Sequence, residues 1–271
     1  MINASPDLRF QLLCFKPNSE AAATTERRPP SISERNAQTP GRGRETPFEA
    51  VLLTDADLDH TLGLFLLRES DSVISIHSSK AVRTALDEGL RTTQILGRYC
   101  GIRWLEPPPV FAPVLCRDGT ESGLEYKAVE IEGPGPRYWR GKDHGSCRLF
   151  YTLRQSATGK SILIAPAVAN LEPRLLAELS QADAILFDGT FWAGDDFDKS
   201  GVAHLSVAEL LESHLPVLNG SLETLAALPA KRKVYIHINN TNPVLWDQGP
   251  ERRRLDEFGI QLAVDGMEFE V

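Results

Sequence analysis

The sequence predicts an α/β protein in which sheets are sandwiched between outer helices. Three observations carry this. Short apolar runs of buried-strand length begin near residue 49, a block of β-type segments fills 101–164, and strands then alternate with helical segments to the end of the chain. With 271 residues, 42% of them apolar and 24% charged, the chain can bury a substantial core, and we expect one domain over 1–271.

Each element has a local reason. Residues 49–54 (Glu-Ala-Val-Leu-Leu-Thr) form an apolar run too short for a helix and read as a buried strand. Residues 62–67 are apolar and end in Arg68-Glu69, which fits a short helix. Residues 73–77 alternate as a strand, and 79–95 follow as a helix with a Ser cap and helical spacing of Val82, Leu86 and Leu90. Segments 101–105, 124–131, 148–153 and 161–164 are β-type, and the Ser156-Ala157-Thr158-Gly159 turn joins the last two as a hairpin. Helices are expected over 171–181, 207–211, 221–228 and 251–258, the last ending at Gly259, with strands at 184–187 and 233–236. Residues 17–47, rich in Pro, Ser, Thr, Arg and Glu, lack the apolar surface to offset their ordering entropy and are expected as a disordered loop insertion.

Charge and composition exclude several classes. Twenty-nine Lys+Arg against 37 Asp+Glu give a net charge of −8, without the field that draws in phosphate polymers, so no nucleic-acid partner is expected. No apolar run approaches the ~20 residues that span a bilayer. The opening Met1-Ile2-Asn3-Ala4-Ser5-Pro6 lacks the basic and apolar regions of a signal peptide, so a cytoplasmic protein without membrane association is expected. Cys14, Cys100, Cys116 and Cys147 are far apart, with no CxxC pair, and carry no assigned chemistry.

The chemistry gathers where three apolar strands end. The first gives Thr54-Asp55-Ala56-Asp57-Leu58-Asp59-His60, the second Phe187-Asp188-Gly189-Thr190, and the third Ile236-His237-Ile238-Asn239-Asn240-Thr241-Asn242. Layered α/β folds bind ligands at the carboxyl ends of strands, where loops project polar groups over a rigid sheet. In an extended segment Asp55, Asp57 and Asp59 share one side, and three adjacent carboxylates call for a cation; a solvated acidic turn capping a helix is the plainer alternative. Asp188 reads either as a turn residue or as part of the site. His237 reads as a satisfied core histidine or, given the amides that follow it, as an oriented ligand. Asp59, His60 and His237 together supply two imidazoles and a carboxylate, the donor set of non-haem Fe(II) sites; zinc hydrolysis uses the same residue types, often with a second metal bridged by a carboxylate such as Asp188.

These motifs resemble the coenzyme PQQ (pyrroloquinoline quinone) biosynthesis protein B family. The resemblance rests on Asn3-Ala4-Ser5-Pro6-Asp7-Leu8-Arg9, on residues 54–64 with Leu67-Arg68-Glu69, on Phe187-Asp188-Gly189-Thr190-Phe191-Trp192 and on 231–243 with its His-Ile-Asn-Asn-Thr-Asn-Pro string, and it extends into 251–267. It is weakest over 17–47 and 105–147. It implies a metallo-β-lactamase-like αββα sandwich. That superfamily's metal loop reads His-x-His-x-Asp-His; here it reads Asp55-x-Asp57-x-Asp59-His60, so both leading histidines are absent. The remaining set, Asp59, His60 and His237, matches the reduced mononuclear site of the PQQ family.

The implied function is Fe(II)- and O₂-dependent hydroxylation of a tyrosine ring within a Glu–Tyr-derived precursor, with zinc as the alternative metal. Two other readings remain open: a metallo-hydrolase of small phosphodiesters or lactones, and a non-catalytic carrier of the quinone or its precursor. Partners implied are a small peptide-derived substrate or quinone precursor, other proteins of the pathway, and a second copy in a homodimer. His214 falls where relatives carry a Gly-His pair and offers either a proton-transfer or substrate-binding group or a surface helix histidine. Asp188 is expected beside the substrate and is a further candidate ligand, as are Asp57 and His144. Asp57 stands where an amide is more usual, and its carboxylate would tighten metal binding or favour a second ion. His77 and His204 read as structural or surface residues. Relatives carry a further N-terminal segment with a glycine-rich strand turn and a cysteine cluster for structural zinc, so the first sheet is expected to lack its first strands.

Overall fold

The computed structural model describes residues 1–14, 46–140, 145–196 and 211–271. Most of the 17–47 segment, the 207–210 part of one expected helix, His144 and His204 lie outside the described residues. The chain divides into two compact units, Met1–Glu106 with Pro136–Trp139, and Pro107–Gly135 with Arg140–Val271.

The first unit is built on a parallel sheet of β1 (Ala50–Leu52), β2 (Ile74–His77) and β3 (Ile102–Leu105), in that order. The segment before the short helix α1 (Leu8–Cys14) lies along β1: the Asn3 amide donates to the Leu52 carbonyl at 2.9 Å and the Leu52 amide to the Met1 carbonyl at 2.8 Å. After β1 the chain does not stay extended. It turns at Asp57 into a one-turn helix, α2 (Leu58–Thr61), and a 3₁₀ helix at Leu62–Leu67 follows. That corrects the expectation of three aspartates on one side of an extended segment.

Helix α3 (Lys80–Leu90) starts where Ser79 Oγ accepts from the Val82 amide at 3.2 Å, and it buries Ala81, Val82, Ala85 and Leu86 on one face. The expected single helix over 79–95 is broken: Arg91 takes a left-handed φ of 56°, and α4 (Thr92–Leu96) begins anew. A 3₁₀ turn at Arg137–Trp139 belongs to this unit, and its Tyr138 hydroxyl donates to the Ala56 carbonyl at 2.8 Å, pinning the loop that follows β1.

The second unit carries a seven-stranded mixed sheet in the order β10-β9-β8-β7-β6-β5-β4. Its strands are β4 (Ala112–Leu115), β5 (Glu121–Ile131), β6 (Arg148–Gln155), β7 (Ser161–Ala165), β8 (Ala184–Asp188), β9 (Arg232–Ile236) and β10 (Gln261–Leu262). β4 to β7 pair antiparallel, the last two forming the expected hairpin, and β7 to β10 pair parallel. Parallel strands need crossovers, and α5 (Pro173–Leu179), α6 (Leu222–Ala227) and α7 (Pro250–Glu257) lie in those connections.

Leu175 and Leu179 of α5, Leu222 and Leu225 of α6 and Leu255 of α7 join Phe150, Leu163, Ile185, Phe187 and Tyr235 of the sheet in one buried cluster. Each such side chain contributes on the order of 1.5–3 kcal/mol of burial. The sequence reading missed β4, β10 and α1. β4 contains Pro113, which cannot donate to a ladder, and it lies at the sheet edge where that costs nothing; β10 has only two residues. No helix among the described residues is long and apolar enough to cross a membrane.

This topology places chemistry at the carboxyl ends of the parallel strands. Asp188 ends β8 and pairs in register with Ile236, the last residue of β9, so His237 emerges beside Gly189. The close approach needs a glycine: a Cβ at Gly189 would lie 2.6 Å from Ile238 Cδ1 and 2.8 Å from Tyr235 Cβ.

Candidate metal centre

In the first unit the loop after β1 is organised by Asp55. Its carboxylate is buried, accepts from Thr54 Oγ1 at 2.8 Å and from the Asp57 amide at 3.0 Å, and lies 2.7 and 2.8 Å from Nδ1 of His60. Thr54 is held in turn by Asn3, whose Oδ1 accepts from the Thr54 amide at 2.9 Å. A carboxylate only accepts, so neutral His60 carries its proton on Nδ1 and its lone pair on Nε2, the state of a metal-binding imidazole. Burial disfavours a charged His60, but the Asp55 carboxylate outweighs it, with Asp59 and Asp57 adding to the attraction, and the imidazole is pushed up to about 9.

Asp59 precedes His60 on α2 and is exposed, and Asp57 is half-buried at the helix start, where its side chain makes no capping bond. Asp57 begins a helix, while Asp55 is a buried partner of His60 rather than one of three equivalent carboxylates.

In the second unit Asp188 is fully buried and accepts four donors, two on each oxygen. Oδ2 takes the Val168 amide at 2.9 Å and His214 Nδ1 at 2.7 Å; Oδ1 takes the Thr190 amide at 3.0 Å and Thr190 Oγ1 at 2.6 Å. Burial alone would raise this carboxyl, but the adjacent His214, then His237 and the Thr190 hydroxyl, hold it below the usual carboxylate range.

His214 is buried rather than on a surface helix. It stacks on His237 with ring centroids 5.2 Å apart and meets the edge of Phe191 at 5.9 Å. His237 has a left-handed φ of 58°, uncommon for a residue with a Cβ, and its Nδ1 lies 2.6 Å from Thr190 Oγ1. The Asn242 side chain ties the loops together, donating to the Gly189 carbonyl at 2.9 Å and accepting from the Val244 amide at 3.0 Å.

Asp188, His214 and His237 thus come together, each offering a ligand atom within 4.8 Å of the others, and could hold an ion. Asp59 and His60 are consecutive on α2, and His144 lies outside the described residues. His77 ends β2, and burial pushes its imidazole down to about 4. Sequence reasoning counted Asp55 among the acids without its role and gave Thr190 none. The available signals were a carboxylate five residues before His60 and a hydroxyl two residues after Asp188. Cys100 and Cys147 are buried.

Comparison with known proteins agrees with this architecture. Residues 1–238 match the family model of the β-lactamase superfamily domain. The coenzyme PQQ synthesis protein B of Cupriavidus necator is 34% identical over 99% of this chain and 82% of its own length. Its counterpart in Methylococcus capsulatus is 33% identical over the same shares. Among solved structures, Zn²⁺-bound PqqB from Methylobacterium extorquens superposes with a TM-score of 0.76 at 24% identity, covering 100% of this chain and 82% of that one. A diphosphatase of the PhnP family shares the fold more loosely, with a TM-score of 0.56 at 16% identity. The α/β fold with mixed sheets is therefore that of the β-lactamase superfamily, and the chain belongs to the coenzyme PQQ synthesis protein B family.

Proposed function

We propose that this protein acts in the cytoplasm in the biosynthesis of pyrroloquinoline quinone, as a metal-dependent hydroxylase of a Glu–Tyr-derived precursor, and that Asp59, His60 and His237 hold the metal. The observation that carries the reading is the state of the two imidazoles. His60 presents Nδ1 to the buried Asp55 carboxylate and His237 presents Nδ1 to Thr190, which leaves Nε2 of each as the nitrogen suited to a metal. Two such imidazoles with one carboxylate fit Fe(II) in an O₂-dependent site and fit zinc as the second choice. The similarity to a Zn²⁺-bound relative supports a metal here without choosing between the two.

Iron held by these residues would supply the activation of O₂. The protein's own groups supply orientation and proton transfer. Asp55 keeps His60 in one tautomer and one ring plane. Asp188 accepts from Nδ1 of His214, so His214 Nε2 is the basic nitrogen, the atom we assign to taking a proton from a substrate phenol. Burial of Asp188 and His214 excludes bulk water from that hydrogen bond. Asp55 and Asp57, standing where hydrolytic relatives carry two histidines, leave fewer nitrogen donors for a second metal and disfavour hydrolysis.

The test is anaerobic loading with Fe(II), addition of a Glu–Tyr-derived peptide precursor, then of O₂ with a two-electron donor such as ascorbate to reduce the second oxygen atom to water, and measurement of O₂ uptake with mass analysis of the product. Gain of one oxygen atom per turnover, lost in His214→Ala, is the expected result. Binding of the quinone without metal and without O₂ uptake would replace this reading by the carrier role.

A further inference from the structure

We propose that Thr190 is a positioning residue that relays the Asp188 carboxylate to His237 and fixes that imidazole with its proton on Nδ1 and its lone pair on Nε2. The inference follows from counting hydrogens. Thr190 Oγ1 lies 2.6 Å from Asp188 Oδ1 and 2.6 Å from His237 Nδ1. The hydroxyl has one hydrogen, and an ionised carboxylate has none to offer, so that hydrogen goes to Asp188. Were it turned toward His237 instead, an oxygen lone pair would face a carboxylate oxygen at 2.6 Å. Towards His237 the hydroxyl therefore only accepts, and the donor is His237 Nδ1–H. His214 Nδ1, 2.7 Å from Asp188 Oδ2 and 3.1 Å from Thr190 Oγ1, donates to the same pair. One buried carboxylate thus sets two stacked imidazoles, His214 directly and His237 through a hydroxyl.

Other contacts make the relay rigid. The Thr190 amide donates to Asp188 at 3.0 Å, closing a local turn around the carboxylate. The Thr190 carbonyl accepts from the Asn239 amide at 3.2 Å and from Asn242 Nδ2 at 3.3 Å, which ties Thr190 to the loop that carries His237. A β-branched side chain adds a stiff χ1, so Oγ1 has little freedom to leave the pair. Asp188 carries four donors, two on each oxygen, and in this arrangement it organises the groups around it.

The relay itself rests on hydrogen-bond geometry; its consequence for affinity rests on the reading of His237 as a metal ligand. The experiment separates the two. Metal-free protein labelled with ¹⁵N at histidine is compared as wild type, Thr190→Ser and Thr190→Val, with Thr190→Ala serving where Val fails to fold. Long-range ¹H–¹⁵N spectra of the His237 ring read the tautomer, and chelator competition reads Zn²⁺ affinity. Wild type and Thr190→Ser are expected to show a single Nδ1–H form of His237. Thr190→Val or Thr190→Ala is expected to show mixed tautomers with ~10–100-fold weaker Zn²⁺ binding, the usual loss on removing a group that orients a ligand. A His237 ring that stays in the Nδ1–H form without the hydroxyl, or that is Nε2–H in wild type, overturns the relay. Unchanged Zn²⁺ affinity in His237→Ala overturns the metal reading instead, and the spectra still decide the relay.

Discussion

The Asp55 carboxylate lies 2.7 Å from Nδ1 of His60, and both side chains are almost wholly withdrawn from solvent. A buried carboxylate beside an imidazole serves the metal-bound and the metal-free protein differently. In the proposed metal-bound form it would steer the ring and strengthen Nε2 as a donor. Without metal, it holds a proton on the ring.

That second role gives a pH dependence. Burial opposes the charge and Asp55 overcomes it, so His60 in the folded protein sits near 9, above the ~6.5 of an unfolded histidine. A raised pKa stabilises the fold fully below the unfolded value and loses that contribution as pH rises through the folded one. Metal-free protein should therefore lose thermal stability between about pH 7 and pH 9, and Asp55→Asn should flatten the trend in a melting series. A metal must displace the same proton, so apparent Zn²⁺ affinity should rise by roughly tenfold per pH unit across that window.

Asp188 responds in the opposite direction. Its carboxyl is held below the usual range, so the stability it contributes is present above ~3.8 and is lost as pH falls through the lower folded value. Asp188→Asn replaces one acceptor oxygen by a donor that faces other donors, and should cost about 2–4 kcal/mol in urea unfolding.

Gly189→Ala would force a methyl against Ile238 Cδ1 at 2.6 Å and Tyr235 Cβ at 2.8 Å, one of them on the strand that leads to His237. Overpacking of this kind costs about 1–3 kcal/mol, and we expect metal affinity to fall with it. Denaturant midpoints with parallel metal titrations check both effects.

Arg91 ends α3 with a φ of 56°, a conformation that glycine adopts without strain. Arg91→Gly should stabilise the protein by about 0.5–1 kcal/mol, read as a higher unfolding midpoint with metal binding unchanged.

The elements with strong local signals were legible in the sequence. The apolar runs at 184–187 and 233–236, the Thr158-Gly159 hairpin turn and the 251–258 helix ending at Gly259 all appear within a residue or two of expectation. The exceptions share a cause, since each departs from the residue pattern that usually marks its element. β4 forms because β5 offers an edge, despite Pro113. The break at Arg91 reflects a left-handed turn that no glycine announces.

In the site, the acid and histidine types at strand ends were readable, because few structural purposes place them there. Their division of labour was not. Asp55 and Asp59 look alike in a string of alternating aspartates, yet one is buried against His60 and the other is exposed. Only the turn into α2 at Asp57 distinguishes them. Thr190 was invisible for a similar reason: a hydroxyl two residues after Asp188 gains meaning only when the β8–β9 register brings His237 to it.

The central claim, that Asp59, His60 and His237 hold a metal ion, is tested most directly by elemental analysis of anaerobically purified protein. The account predicts about one iron or zinc per chain in the wild type and its loss in Asp59→Ala, His60→Ala and His237→Ala, with each variant still folded by circular dichroism. Wild-type metal content in folded His60→Ala and His237→Ala would contradict it.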